Sequence, residues 1–152
     1  MRSPAKILAD ARTIAIVGAS PNPERPSHGV MRYLMEHGYR CIPVRPLDSE
    51  DVLGVPCVAT LVDIDEPIDI VDVFRRSDAL VTHSYEAVAA GAGALWLQLG
   101  LSSPEARRIA SDAGLDYVEN ECTAVVHRRI APVRDSGPVE GVWGNREVPP
   151  AT

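Results

Sequence analysis

The residues with chemistry to offer are a glycine turn and a scatter of arginines. Gly18 follows the apolar run Thr13-Ile-Ala-Ile-Val17 and opens the small-residue turn Gly18-Ala19-Ser20. Pro21-Asn-Pro-Glu-Arg25-Pro26-Ser27-His28-Gly29 comes next. Glycine takes backbone angles that other residues avoid, and it lets a ligand approach the main chain closely. Free N–H groups in such a turn, and at the start of the helix after it, form a site for anions, above all phosphate. Other chemistries find less support. Ser20 has no His/Asp partner visible in the sequence, which argues against a nucleophilic serine. His28, His37, His83 and His127 lack metal-ligand spacing and read as surface or capping groups, so no metal site is expected.

The elements that position this turn follow from periodicity and punctuation. Strands are expected at Thr13–Val17, Arg40–Val44, Ile68–Val73, Ala94–Leu97 and Leu115–Val118. The third is apolar except for Asp69 and Asp72. Helices are expected over 3–11, 27–37, 78–90 and 103–113, with Ser-Pro starts and glycines just past several ends. Residues 122–129 read as a final helix or extended turn. Val30, Tyr33 and Leu34 form the inner face of the second helix. Strands alternating with helices imply parallel β-α-β units with right-handed crossovers. The expected sheet is doubly wound, parallel and five-stranded, in the order 3-2-1-4-5. Ligands of such sheets bind outside the carboxyl ends of the strands, where the strand order reverses. That rule selects Gly18–Ser20, Arg45-Pro46, Phe74-Arg75-Arg76, Gln98-Leu99-Gly100 and Glu119–Cys122. After Ile130 the pattern dissolves into prolines and glycines. The expected division is a domain over 1–130 and a flexible tail over 131–152, with Val142-Trp143 as a docking segment.

Bulk properties narrow the function classes. A chain of 152 residues fits one domain with a full core. A net charge of −6 disfavours nucleic-acid binding, where a basic surface is the rule. No apolar run is long enough for a membrane helix, and the N-terminus lacks a secretory signal's apolar segment. A cytoplasmic location is expected, without a membrane partner. Cys41, Cys57 and Cys122 do not suggest a disulfide framework, and the first two, inside apolar runs, read as buried.

Arg45 sharpens the ligand class. Dinucleotide-binding domains usually carry G-x-G-x-x-G and an acidic residue at the end of strand two. Here the turn has one glycine before Gly29, and the acidic position holds Arg45. A carboxylate there would hold the ribose hydroxyls, whereas an arginine suits a phosphate on that ribose. NADP and coenzyme A both carry such a phosphate. The plain alternative is a solvated arginine before a turn proline.

Several motifs, in order, resemble the small stand-alone CoA-binding proteins. They are Gly18-Ala-Ser, Glu24-Arg-Pro-Ser27, Glu36-His-Gly-Tyr39, Ile68-Asp-Ile-Val-Asp-Val-Phe-Arg75, Trp96-Leu-Gln-Leu-Gly100 and Ala113-Gly-Leu115. Over about residues 5–130 the chain is similar to the CoA-binding domain of succinyl-CoA synthetase α-subunits. The resemblance implies a Rossmann-like domain that binds coenzyme A or an acyl-CoA, with no reaction attached. It also implies site roles. Gly18, Ala19 and Ser20 wrap the pyrophosphate, and Arg25 and Ser27 add bonds to the phosphates. Arg45 and Pro46 sit at the adenosine end, beside the 3′-phosphate. Phe74 and Arg75 flank the adenine or the phosphates, Gln98, Leu99 and Gly100 line the pantetheine path, and Cys122 lies near the thiol end. Arg45 stands where the family commonly has Asn, and Glu121 where a basic residue often precedes the cysteine. An acidic neighbour raises a thiol's pKa, and Cys122 reads as a quiet packed thiol. Two rival readings are an NADP-dependent oxidoreductase or redox sensor, and a CoA-responsive interaction module for an acyl-CoA enzyme.

Overall fold

The computed structural model describes residues 1–46 and 51–135. In chain order the elements are α1 (Pro4–Asp10), β1 (Thr13–Val17), α2 (Pro26–Glu36), β2 (Arg40–Val44), β3 (Ile70–Val73), α3 (Leu80–Ala89), β4 (Ala94–Leu97), α4 (Pro104–Asp112), β5 (Asp116–Val118) and α5 (Thr123–Asp135). Short 3-10 turns at Leu61–Asp63 and Ser77–Ala79 bracket β3. Helix α5 runs past the boundary expected at residue 130, and the rest of the expected tail, 136–152, lies outside the described residues.

Helix starts follow the Ser-Pro signals. Ser3 caps α1, its Oγ accepting from the Lys6 N–H at 3.2 Å, and Ser103 caps α4 by accepting from Ala106 at 3.0 Å. Each is followed by a proline in the first turn, where a missing N–H costs nothing. Helix α2 differs: Arg25 occupies its N-cap position and its side chain makes no capping bond.

All five strands are parallel, in the order β2-β1-β3-β4-β5. This corrects the expected 3-2-1-4-5, since β3 pairs with β1 instead of flanking β2. Val17 stands beside Val44 on one side and Val73 on the other. The reason lies in the strands' own residues. Every residue of β3 is buried, as a central strand requires. Strand β2 carries an exposed Arg40 and a buried Pro43, and a proline is tolerated where one side of the strand is not fully laddered. The chain beyond β2 covers that flank: Val58 N–H donates to Pro43 O at 3.0 Å, and Arg45 N–H to Val58 O at 2.9 Å.

Alternate strand residues build two cores, as a doubly wound sheet demands. Ala15, Val17, Val71, Val73, Leu95 and Leu97 pack with Leu80, Ala87, Ala106 and Ala110 of α3 and α4. Ile14, Ile16, Ile70 and Trp96 pack with Ile7 and Leu8 of α1, Met31 and Leu34 of α2, and Val126 of α5. Asp69, expected inside strand three, lies just before it, and its Oδ2 accepts from the Arg12 and Thr13 N–H groups at 2.9 Å each. It aligns the start of β1 with the entry to β3.

Two histidines expected at the surface are buried, His28 and His127. His127 Nδ1 lies 2.9 Å from Tyr33 Oη, and Tyr33 stacks on His37 at 4.0 Å between ring centroids. This aromatic seam joins α2 to α5. Cys41 is buried as expected, and burial, with Asp72 nearby, pushes its thiol up to about 12. Cys57 is only half-buried. Among the described residues, no helix is long and apolar enough to cross a membrane.

Candidate functional site

Strand order reverses between β1 and β3, and the crevice there is where ligands of such sheets bind. Gly18 sits at its floor with φ +88°. A Cβ on Gly18 would lie 2.7 Å from Phe74 O and 3.0 Å from Arg75 Cδ, so a side chain is excluded twice, by angle and by space. The turn is tied to both flanking strands. Gly18 N–H donates to Val44 O at 3.2 Å, and Phe74 N–H donates to Val17 O at 2.8 Å. Three strand ends therefore converge on one glycine. The structure brings Gly18, Phe74 and Arg75 into contact, with Arg45 one residue from the Val44 carbonyl. Phe74 is half-buried, while Arg75 and Pro46 are exposed.

The loop from Gly18 to α2 is a relay of short turns. Ala19 is buried against the α2 core. Ser20 Oγ accepts from Asn22 N–H at 3.0 Å, Asn22 Oδ1 from Glu24 N–H at 2.9 Å, and Asn22 O from Arg25 N–H at 3.0 Å. This order delivers exposed Arg25 and buried Ser27 to the uncapped start of α2.

Three shielded side-chain nitrogens have no partner among the described residues. They are Nε and Nη1 of half-buried Arg45 and Nδ1 of buried His28. A buried donor without a partner costs about 1–3 kcal/mol, and more when it is charged. A guanidinium fork of this kind matches the oxygens of a phosphate. Arg45 is half-buried, with two of its guanidinium nitrogens shielded from solvent. His28, one turn after Arg25, was not among the predicted site residues.

The second half of the predicted site is built differently. Gln98 is buried, and its Nε2 turns inward to Asp72 Oδ1 at 2.5 Å and Thr123 Oγ1 at 2.9 Å. Leu99 is 72% exposed, and Gly100 has φ +90°. Gly100 N–H donates to Asn120 Oδ1 at 2.7 Å, which clips the loop after β4 to the loop after β5. Asn120 itself holds φ +57°, a left-handed conformation that asparagine tolerates better than most residues. Cys122 is half-buried at the start of α5. Asp72 and Thr123 were not among the predicted site residues, while Asn120 falls in the selected Glu119–Cys122 segment. A polar residue inside an apolar strand was the available sign for Asp72.

A cleft of about 360 Å³ opens elsewhere, lined by Met35, Gly38, Tyr39, Arg40, Cys41 and Val55. It lies at the amino end of β2 and contains none of the predicted residues. Its one cation, Arg40, is held bidentate by Glu66 at 2.6 and 2.7 Å. That leaves it a poor anion site. Among the described residues, no cluster of three or more His, Cys, Asp or Glu side chains is arranged to hold a metal ion.

Comparison with known proteins identifies a family. Residues 12–128 match the family described as CoA binding domain. The chain is 39% identical over 132 residues to the protein YneT of Bacillus subtilis (strain 168), covering 84% of this chain and 97% of that one. Its structure is similar to that of the cell-free ID.343 protein of Thermus thermophilus, with 44% identity, a TM-score of 0.78 and coverage of 82% and 94%. It is also similar to a hypothetical protein from Pyrococcus horikoshii OT3, with 39% identity, a TM-score of 0.80 and coverage of 84% and 89%. The five-stranded Rossmann-like sheet, the glycine at its switch point and the matched residues lead to one assignment: the chain belongs to the CoA binding domain family.

Proposed function

We propose that this protein binds coenzyme A or an acyl-CoA across the carboxyl ends of its strands, and that recognition rather than a reaction is its task. The observation that carries the reading is the half-buried guanidinium of Arg45, whose Nε and Nη1 are shielded from solvent and have no hydrogen-bond partner among the described residues. In this reading the 3′-phosphate of the adenosine takes up Arg45 Nε and Nη1, with Pro46 beside it. Gly18, Ala19 and Ser20 lie along the pyrophosphate, with the missing Cβ of Gly18 letting the turn close against the Phe74 carbonyl. Arg25 and Ser27 add charge and a hydroxyl at the start of α2, and Phe74 with Arg75 flanks the adenine or the phosphates. The pantetheine arm runs past Gln98, Leu99 and Gly100 toward Cys122. The finer kinship expected from the sequence, with the CoA-binding domain of succinyl-CoA synthetase α-subunits, is part of this proposal.

The test is calorimetric titration with CoA, dephospho-CoA, NADPH and NADH. CoA is expected to bind at least tenfold more tightly than dephospho-CoA, because the latter leaves Arg45 without its phosphate. Arg45→Ala removes that preference, and the further change Arg25→Ala weakens CoA again. Equal affinity for CoA and dephospho-CoA would sink the role given to Arg45. The same arginine also suits the 2′-phosphate of NADP, so binding of NADPH without CoA would replace this reading with the nicotinamide one.

A further inference from the structure

Three buried side chains from distant parts of the chain meet behind the thiol end of the proposed groove. Asp72 on β3 and Thr123 at the start of α5 are fully buried, and Gln98 after β4 is nearly so. Gln98 Nε2 donates to Asp72 Oδ1 at 2.5 Å, and Thr123 Oγ1 donates to Asp72 Oδ2 at 2.9 Å. Gln98 Nε2 also reaches Thr123 Oγ1 at 2.9 Å, closing a triangle. Among the described residues no cation pairs with Asp72. A carboxylate buried this way is costly, and an apolar trio of like volume serves packing better. Its use must therefore be sought in geometry.

The neighbouring main chain is pinned as well. Trp96 Nε1 donates to Glu121 O at 2.8 Å, and Glu121 N–H donates to Leu97 O at 3.4 Å. Cys122 O accepts from Val126 N–H at 3.0 Å. Cys122 thus stands between Glu121, fixed through its backbone, and Thr123, fixed through its side chain. In the CoA reading above, Gln98 lies on the pantetheine path and Cys122 at its thiol end, and both are anchored through the same triangle.

We propose that Asp72 and Thr123 are positioning residues: through Gln98 and the start of α5 they set the geometry of the groove where the pantetheine arm ends. The inference rests on the CoA reading above and adds to it that the sulfur end is built rigidly while the adenosine end is read by charge. Neither residue need touch the ligand.

The experiment compares CoA with adenosine 3′,5′-bisphosphate, which keeps the adenosine and its 3′-phosphate but lacks the arm. Thr123→Val preserves shape and removes the hydroxyl; Thr123→Ser keeps the hydroxyl. For Thr123→Val we expect CoA affinity to fall about tenfold with the bisphosphate unchanged, as the loss of a buried hydrogen-bonding group predicts. Thr123→Ser restores the native ratio, and Asp72→Asn shifts it in the same direction as Thr123→Val. Without ligand, amide hydrogen exchange over residues 119–126 is expected to quicken in Thr123→Val while that over 13–19 holds. Parallel weakening of both ligands marks a general structural role and overturns the proposal, as does an unchanged ratio. If the unaltered chain binds neither ligand, the CoA reading itself fails; if it binds both and Thr123→Val leaves their ratio intact, only the positioning role fails.

Discussion

At the scale of single residues, Asp72 has the strongest consequence for solution behaviour. Burial pushes its carboxyl up to about 7, against the hydrogen bonds from Gln98 and Thr123, which favour the charged form. The unfolded chain holds that carboxyl near its ordinary value of about 3.9. Between these values the folded protein binds a proton that the unfolded chain does not, so stability rises as pH falls. This contribution is fully present below about pH 4 and is lost as pH climbs through about 7. Measured against Asp72→Asn by urea unfolding, the native chain should gain relative stability on going from about pH 8 to about pH 5. A difference independent of pH would refute it. Glu66 and Asp10, held below the usual range by hydrogen bonds from Arg40 and Lys6, lose their contribution only in more acid solution. They do not overlap this window. Gly18 and Arg45 were legible in the sequence because each follows directly on a strand. The Asp72–Thr123 bond was not, because its partners stand 51 residues apart and only the folded sheet brings them together.

Among the elements, α2 and α3 both start without a side-chain cap, and of the two it is α2 that follows the Gly18 loop. Serines satisfy the first turns of α1 and α4, whereas Arg25 leaves that of α2 open toward the Gly18 loop. Local stability and ligand binding should therefore pull in opposite directions at this position. Arg25→Ser supplies the missing cap and should raise the stability of the free protein by about 0.5–1 kcal/mol while weakening CoA. Urea midpoints and titration on the same samples check both halves; a variant that is less stable, or that binds CoA as tightly, contradicts the argument. Most strands and helices were readable to within two residues from apolar periodicity and from proline and glycine punctuation. Strand order was not, because periodicity fixes which face of a strand is buried and says less about its neighbours. The usable sign was Arg40 with Pro43, which suits β2 to a flank of the sheet and leaves the wholly buried β3 for the middle.

Taken whole, the proposed site exists only in the folded form, because Gly18, Arg45, Phe74 and Gln98 come from four strand ends. CoA at a hundred times its dissociation constant should add about 2.7 kcal/mol and raise the unfolding midpoint by roughly 5–10 °C. Scanning calorimetry with CoA and with dephospho-CoA reads this directly, and equal shifts would contradict the role of the 3′-phosphate. The strand order also carries a consequence for synthesis on the ribosome. As the chain emerges, β1 can pair early with β2, yet its other side stays an open edge until β3 has been made. Exposed edges of this kind invite pairing with foreign strands. Helix α1 waits longer still, since Ile7 and Leu8 share a core with Val126 of α5. Helix α1 is thus made early and seated late, and the nascent protein depends on α5 to close the face that α1 opens.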